Sequence, residues 1–234
     1  MTTTIDPADV QRFASVAARW WDTTGPFAPL HALNPARLAF VRERITAALG
    51  QVDGVSILDI GCGGGLMAEP LARLGATVTG VDGTAEGIAA ARQHAAQAGL
   101  TIDYRQGAAE DLVAEGLRFD VVLALEVVEH VANVPAFLAC LKALVRPGGV
   151  VILSTLNRTW QSWAMAIAAA EYVLRIIPRG THDWRQFLTP AELVRGLRAE
   201  GLQLDRITGL SRRLDGTWVL SDDRRVNYLV SARA

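Results

Sequence analysis

Cysteine is scarce: two in 234 residues, Cys62 inside a glycine-rich stretch and Cys140 in an expected helix. That excludes a disulfide framework and makes a reducing compartment the expectation. An excess of charge of one sign is lacking too. The 23 Lys and Arg are interspersed with 24 Asp and Glu for a net charge of −1, so no basic face invites non-specific binding of nucleic acid. The opening residues, MTTTIDP, have no basic n-region, apolar run or arginine enrichment, and neither a signal nor a transit peptide is expected. Internal repeats, low-complexity segments and a dividing linker are also missing. The stretch Trp160 to Ile177 is long and apolar but carries Glu171 and Arg175, which argues against a transmembrane span. What the chain has is apolar bulk: 50% of its residues are hydrophobic, enough for the core of one α/β domain of this length.

That core is organised around Val55 to Leu66 (VSILDIGCGGGL), an apolar strand that stops at an acid and turns through four glycines, followed by a helical pattern from Met67 to Leu74. A strand, a glycine loop and a helix open a βαβ unit, and the loop lets a ligand touch backbone at a helix N-terminus. Dinucleotide enzymes require G-x-G-x-x-G. Here Gly61 and Gly63 are present, but the third position is Leu66. Asp59, two residues before Gly61, would repel a pyrophosphate and suits a cationic ligand. S-adenosylmethionine carries an ammonium and a sulfonium and no phosphate, and D-x-G-x-G-G-G resembles the first motif of the class I methyltransferases. Asp82 ends the next strand 21 residues beyond Gly61, the spacing at which either cofactor class places a carboxylate on ribose hydroxyls.

Along the chain, helices over 9–21 and 35–49, the second with Asn34 as N-cap and Pro35 at its first position, form a cap spanning 9–49. Strands are expected at 55–60, 76–82, 101–105, 119–125 and 150–154, with helices at 85–99 and 134–144 between them, making 55–154 the cofactor-binding core. The segment 106–112 resembles the adenine-edge loop of the class I methyltransferases, with alanines in place of more informative polar residues. Residues 157–189 read as an insertion. A helix over 190–200 and strands at 203–208 and 226–231 close a doubly wound, Rossmann-like, mostly parallel seven-stranded α/β sheet in one domain, 1–234.

Several stretches together resemble the O-methyltransferases of ubiquinone biosynthesis: FASVAARWWD (13–22), PLHALNPARL (29–38), DIGCGGG (59–65), GATVTGVD (75–82), EVVEHV (126–131), STLNRTWQSW (154–163) and EYVLRIIPRGTHD (171–183). They span most of the chain, although the tail after Ser211 matches poorly. The resemblance implies that Arg37, Gly61, Asp82 and Leu125 bind S-adenosylmethionine, with Arg37 at the carboxylate of its methionine end; Asp59, Gly63 and Ala109 complete the expected cofactor set. It also implies O-methylation of polyprenylated phenol or catechol intermediates, at both methylation steps. A bilayer-resident substrate further implies peripheral contact with the inner face of the membrane from the cytoplasmic side, and contact with other ubiquinone-biosynthesis proteins.

Methyl transfer to a phenol, whose pKa is near ~10, needs a general base or a metal at neutral pH. Glu126, Glu129 and His130 supply both options. If they open a helix, offsets of three and four bring them to one face, a set suited to Mg²⁺ or a similar ion; the alternative is two acids favouring a helix N-terminus and a packed histidine. His31 and His182 face either substrate or solvent. Trp160 to Ile177 is either an interfacial helix or an ordinary lid or core helix. A nicotinamide oxidoreductase, a non-catalytic cofactor-binding subunit and a C- or N-methylating enzyme remain the rival readings. Titration should show saturable binding of S-adenosylmethionine and none of NADH; the reverse result would return the glycine turn to the oxidoreductases.

Overall fold

The computed structural model describes Thr4, residues 7–164 and residues 183–234. In chain order the helices are α1 (Pro7–Ala14), α2 (Ala28–Leu49), α3 (Ala68–Arg73), α4 (Ala85–Gln97), α5 (Ala109–Ala114), α6 (Val134–Leu144), the single turn α7 (Trp160–Ser162) and α8 (Pro190–Ala199). The strands are β1 (Ser56–Ile60), β2 (Thr77–Asp82), β3 (Asp103–Gln106), β4 (Phe119–Leu125), β5 (Val145–Leu156), β6 (Gln203–Arg212), β7 (Trp218–Ser221) and β8 (Asn227–Arg233). They form one sheet in the order β3-β2-β1-β4-β5-β8-β6-β7. The first five are mutually parallel, and β8, β6 and β7 pair antiparallel.

The burial of β1 and β4 explains their central place. Ile57, Leu58, Val121, Val122, Leu123 and Ala124 are fully buried, as strands covered on both faces must be. One face packs Phe40 and Ile45 of α2, Leu71 of α3 and Ile88 of α4. The other packs Leu112 of α5, Leu138 and Leu141 of α6, and Leu193 of α8. This doubly wound arrangement brings the ends of β1, β2 and β4 together at one edge, where open α/β sheets bind ligands.

The sheet differs from the seven-stranded expectation by β7, a four-residue edge strand paired only with β6. Its signal is Asp215-Gly216, a hairpin dipeptide: Gly216 takes φ +88°, and the Arg213 N–H closes on the Thr217 carbonyl at 2.8 Å. The cap differs more. The first helix stops at Ala14, and a separate 3₁₀ turn covers Ala17–Arg19. The second runs unbroken over Ala28–Leu49 with Pro35 inside it. Asn34 caps nothing; its Nδ2 donates to the Leu66 carbonyl at 2.7 Å, fastening the helix to the end of the glycine loop. The 106–112 segment contains α5 rather than being all loop. No helix among the described residues is long and apolar enough to cross a membrane.

Within the glycine loop, Gly65 has φ +88°, and a Cβ there would lie 2.2 Å from the buried Tyr104 Oη. Both the left-handed backbone and the close approach require glycine. Gly65→Ala should therefore destabilise the fold by about 1–3 kcal/mol, read as a lower urea midpoint at unchanged slope.

Candidate cofactor and acceptor site

A cavity of about 270 Å³ opens at the sheet edge, between the ends of β1, β2 and β4 and the N-terminal segment. Of the residues expected from the sequence, Arg37, Asp59, Gly61, Asp82, Ala109, Leu125, Glu126 and His130 line it. Gly63 and Glu129 stand behind that wall. Gly63 lies under the Trp20 ring, which a Cβ would meet at 2.2 Å, and Glu129 is buried at 3% exposure.

Four of the loop's amides are turned inward, onto the protein. The Gly61 and Cys62 N–H groups donate to the Val81 carbonyl at 2.8 and 3.1 Å, and Gly65 donates to the Cys62 carbonyl at 2.8 Å. The Gly63 N–H donates to Asp82 Oδ2 at 2.8 Å. A phosphate-binding loop keeps such donors free, and these four are not available to a phosphate. Cys62 is equally unavailable as a nucleophile, because burial pushes its thiol up.

Asp82 accepts that loop amide together with the Thr84 N–H at 2.8 Å and the Thr84 hydroxyl at 2.7 Å. A carboxylate has roughly four acceptor sites. Three donors leave room for one further hydroxyl, so the acid fastens the loop and keeps a remaining acceptor toward the cavity.

Two charged groups on the wall have unfilled hydrogen-bonding capacity. Asp59, at the heart of β1, is 3% exposed, and its Oδ2 has no partner. Burial, reinforced by the nearby Asp82 charge, raises its pKa from 3.8 to about 7. Arg37, on α2, is 4% exposed, and its Nε and Nη2 make no hydrogen bond of good geometry. Its charge is met by Glu126 Oε1, 2.8 Å from Nη2. Glu126 Oε1 also accepts from the Ser154 hydroxyl at 2.7 Å.

The helix expected to gather Glu126, Glu129 and His130 on one face is absent. Glu126 has φ +56°, Val127 is not helical, and only Val128–His130 form a 3₁₀ turn, so the offsets of three and four lose their meaning. Among the described residues no group of three or more His, Cys, Asp or Glu side chains is arranged to hold a metal ion. Glu126 is engaged by a cation. Glu129 has neither oxygen in a hydrogen bond of good geometry, and burial, then the Glu126 charge, raise its pKa to about 7, partly offset by His130. His130 meets Phe13 edge to face, with ring centroids 5.4 Å apart.

The cap supplies what the motifs did not single out as site residues. The Trp20 ring covers Gly63 and Gly64, stacks on Phe27 at 3.6 Å and lines the cavity, with a buried Nε1 that has no partner. Trp21 Nε1 donates to the Gly64 carbonyl at 3.0 Å, and its ring stacks on His94 at 3.4 Å. The WWD pair was visible, but nothing in its spacing says that it closes over the loop. His31 faces neither substrate nor solvent alone: its Nε2 is 2.8 Å from the Trp20 carbonyl, bracing that contact. His182 lies outside the described residues.

Comparison with known proteins fits this geometry. A methyltransferase-domain family model matches residues 32–207. A ubiquinone biosynthesis O-methyltransferase of Azorhizobium caulinodans is 52% identical, covering 97% of this chain and 93% of its own length. One from Cereibacter sphaeroides is 50% identical over 99% and 97%. The chain belongs to the ubiquinone biosynthesis O-methyltransferase family. Its fold matches the magnesium protoporphyrin IX methyltransferase of Synechocystis with bound SAH (TM-score 0.61, 22% identity, 84% of this chain and 81% of that one). It also matches a DhpI complex with SAM and HEP (TM-score 0.64, 21% identity, all of both chains).

In this methyltransferase the burial of Asp59 has a sign that can be tested. The free enzyme holds the proton below about pH 7, whereas a cationic ligand favours the carboxylate. Affinity for S-adenosylmethionine should rise from pH 6 to 8 and level off, with proton release at pH 6 visible as a buffer-dependent heat. A carboxyl whose folded pKa is raised contributes stability at low pH that is lost as pH climbs through 7. Asp59→Asn should accordingly raise Tm at pH 8 while removing the pH dependence of binding.

Proposed function

We propose that the enzyme transfers the methyl group of S-adenosylmethionine to a ring hydroxyl of a polyprenylated phenol or catechol, at both O-methylation steps of ubiquinone biosynthesis. One observation carries the cofactor half. Two buried groups of opposite charge, Asp59 and Arg37, share the cavity wall with unfilled hydrogen-bonding capacity, the complement of an ammonium and a carboxylate on one ligand end. Asp82 then takes a ribose hydroxyl, while Ala109 and Leu125 give the nucleoside apolar walls.

In the transfer the acceptor oxygen attacks the methyl carbon, the carbon–sulfur bond breaks, and its electron pair returns to sulfur, discharging the sulfonium. The acceptor must give up a proton whose phenolic pKa is near ~10. His130 on the cavity wall takes it, and the ionised form of Glu129 behind it steadies the imidazolium that results. The apolar wall from Val10, Phe13, Val16 and Phe27 holds the ring in line with the methyl group, and alignment supplies much of the rate. A divalent ion would supply the same activation of the hydroxyl, but Glu129 is enclosed behind the wall and no three of the described His, Cys, Asp or Glu side chains are grouped to hold one, so these residues as arranged do not fit it, and no step runs through a metal.

At about 270 Å³ the cavity is smaller than the roughly 300–1,000 Å³ usual for small-molecule sites. We read residues 9–49 as a cap that lifts to admit the acceptor, and the insertion 157–189, within a single domain, as the peripheral membrane contact on the cytoplasmic face. Trp160 and Trp163, 72% and 51% exposed, suit interfacial anchors; the remainder of the expected helix to Ile177 lies outside the described residues from Met165 on. Labelled methyl transfer to a panel of prenylated catechols and phenols should place label on ring oxygen, and shortening the prenyl tail should raise KM more than it lowers kcat. No label on any acceptor, from protein that still binds the cofactor, would remove the reading.

A further inference from the structure

Glu126 is the only non-glycine residue among those described that holds a left-handed backbone, at φ +56°. That conformation is unfavourable for any residue with a Cβ, so the surroundings must over-determine it. They do: its N–H donates to the Ser154 carbonyl at 2.9 Å, its Oε1 accepts from the Ser154 hydroxyl, and Arg37 Nη2 approaches the same oxygen. The strained turn at the end of β4 presents a carboxylate to the guanidinium on the cavity wall. Yet the pairing is incomplete from the arginine's side. At 2.8 Å the contact is one of charge, while Nε and Nη2 lack aligned acceptors.

We propose that Arg37 is contested by two carboxylates, that of Glu126 in the free enzyme and that of the cofactor in the complex, so that cofactor loading releases Glu126 toward the acceptor end of the cavity. The proposal rests on the reading of Arg37 as the carboxylate ligand given above. A buried guanidinium cannot be left without an anion, which accounts for Glu126 in the free enzyme. A planar fork with free N–H groups favours a ligand that meets it with two parallel hydrogen bonds, and the cofactor's carboxylate is free to adopt that approach where the anchored Glu126 is not. Once displaced, Glu126 keeps the Ser154 hydroxyl as a partner. Its charge then faces the acceptor, and the cofactor binds first. By linkage, whatever release of Glu126 contributes to acceptor binding is returned as tighter cofactor binding.

Calorimetry on the full chain tests this with S-adenosylhomocysteine and with 5′-methylthioadenosine, which shares the nucleoside and sulfur but lacks the amino-acid tail. Glu126→Gln, an isosteric change, should bind S-adenosylhomocysteine tighter than wild type by about fivefold, the low end of usual coupling, with methylthioadenosine unchanged. In a crystal structure of the S-adenosylhomocysteine complex, Arg37 and Glu126 should stand more than 4 Å apart. Equal or weaker binding by Glu126→Gln, or an intact pair in that complex, would overturn the contest. The double variant Arg37→Met/Glu126→Gln leaves no unpaired charge and checks the premise separately. If it keeps the wild-type preference for S-adenosylhomocysteine over methylthioadenosine, Arg37 does not hold the tail, and the underlying reading fails with the proposal. If it loses that preference while Glu126→Gln binds no tighter, the reading survives and only the contest falls.

Discussion

A carboxyl group buried at the centre of the sheet, with one oxygen unpartnered, is a cost that the free protein carries. Asp59 lies between β2 and β4 on the innermost strand, where packing would favour an apolar side chain. Around it the site repeats the pattern on a smaller scale: a guanidinium with unaligned donors, a second enclosed carboxyl at Glu129, and an indole N–H at Trp20 without an acceptor. Each has hydrogen-bonding capacity left unfilled until something polar arrives, although the guanidinium's charge is met by Glu126. On the cofactor reading proposed above, a ligand with an ammonium and a carboxylate would answer two of them at once, and its binding would draw in part on relief of strain already present in the free fold.

The rest of the molecule makes that strain tolerable. The two faces of the sheet are packed by α2, α3 and α4 on one side and α5, α6 and α8 on the other, which holds β1 rigidly enough to keep its acid in place. The glycine loop is fastened from below by Val81 and Asp82 and from above by Trp20 and Trp21. The N-terminal segment is itself tied across the opening: the Thr4 hydroxyl donates to Glu110 at 2.9 Å, and the Ala132 N–H donates to the Thr4 carbonyl at 2.9 Å. Loop and cap thus form one closed unit in the structure, and the proposed entry of the acceptor falls to the cap and not to the loop.

Much of this frame was legible from residue pattern. Strands β1, β2 and β4 fall where their apolar runs put them because both faces are buried, and the β-period has no competitor there. Asp59, Gly61 and Asp82 could be located because the chemistry of the loop depends on spacing along one strand–turn–helix unit. The cap was misjudged because its signals are tertiary. Asn34-Pro35 has the form of a helix start, but the asparagine amide is claimed by the Leu66 carbonyl, and α2 extends through the proline to Ala28. Likewise, the Glu126 to His130 stretch has helical spacing, yet the pull of Ser154 and Arg37 on Glu126 holds its backbone left-handed. The place of Trp20 over the loop depends on a contact between residues more than forty apart, which no local period encodes.

The cavity wall, among the described residues, ends with Phe137. The antiparallel end of the sheet, β6, β7 and β8, contributes no residue to it. Substitutions there reach the cavity only through what they pack against, by way of buried side chains such as Tyr228, Leu229 and Val230, whereas those in the first half can touch the cavity wall itself. An edge hairpin such as β6–β7, paired to the sheet only through β6, can therefore change in sequence or length without touching the cavity wall.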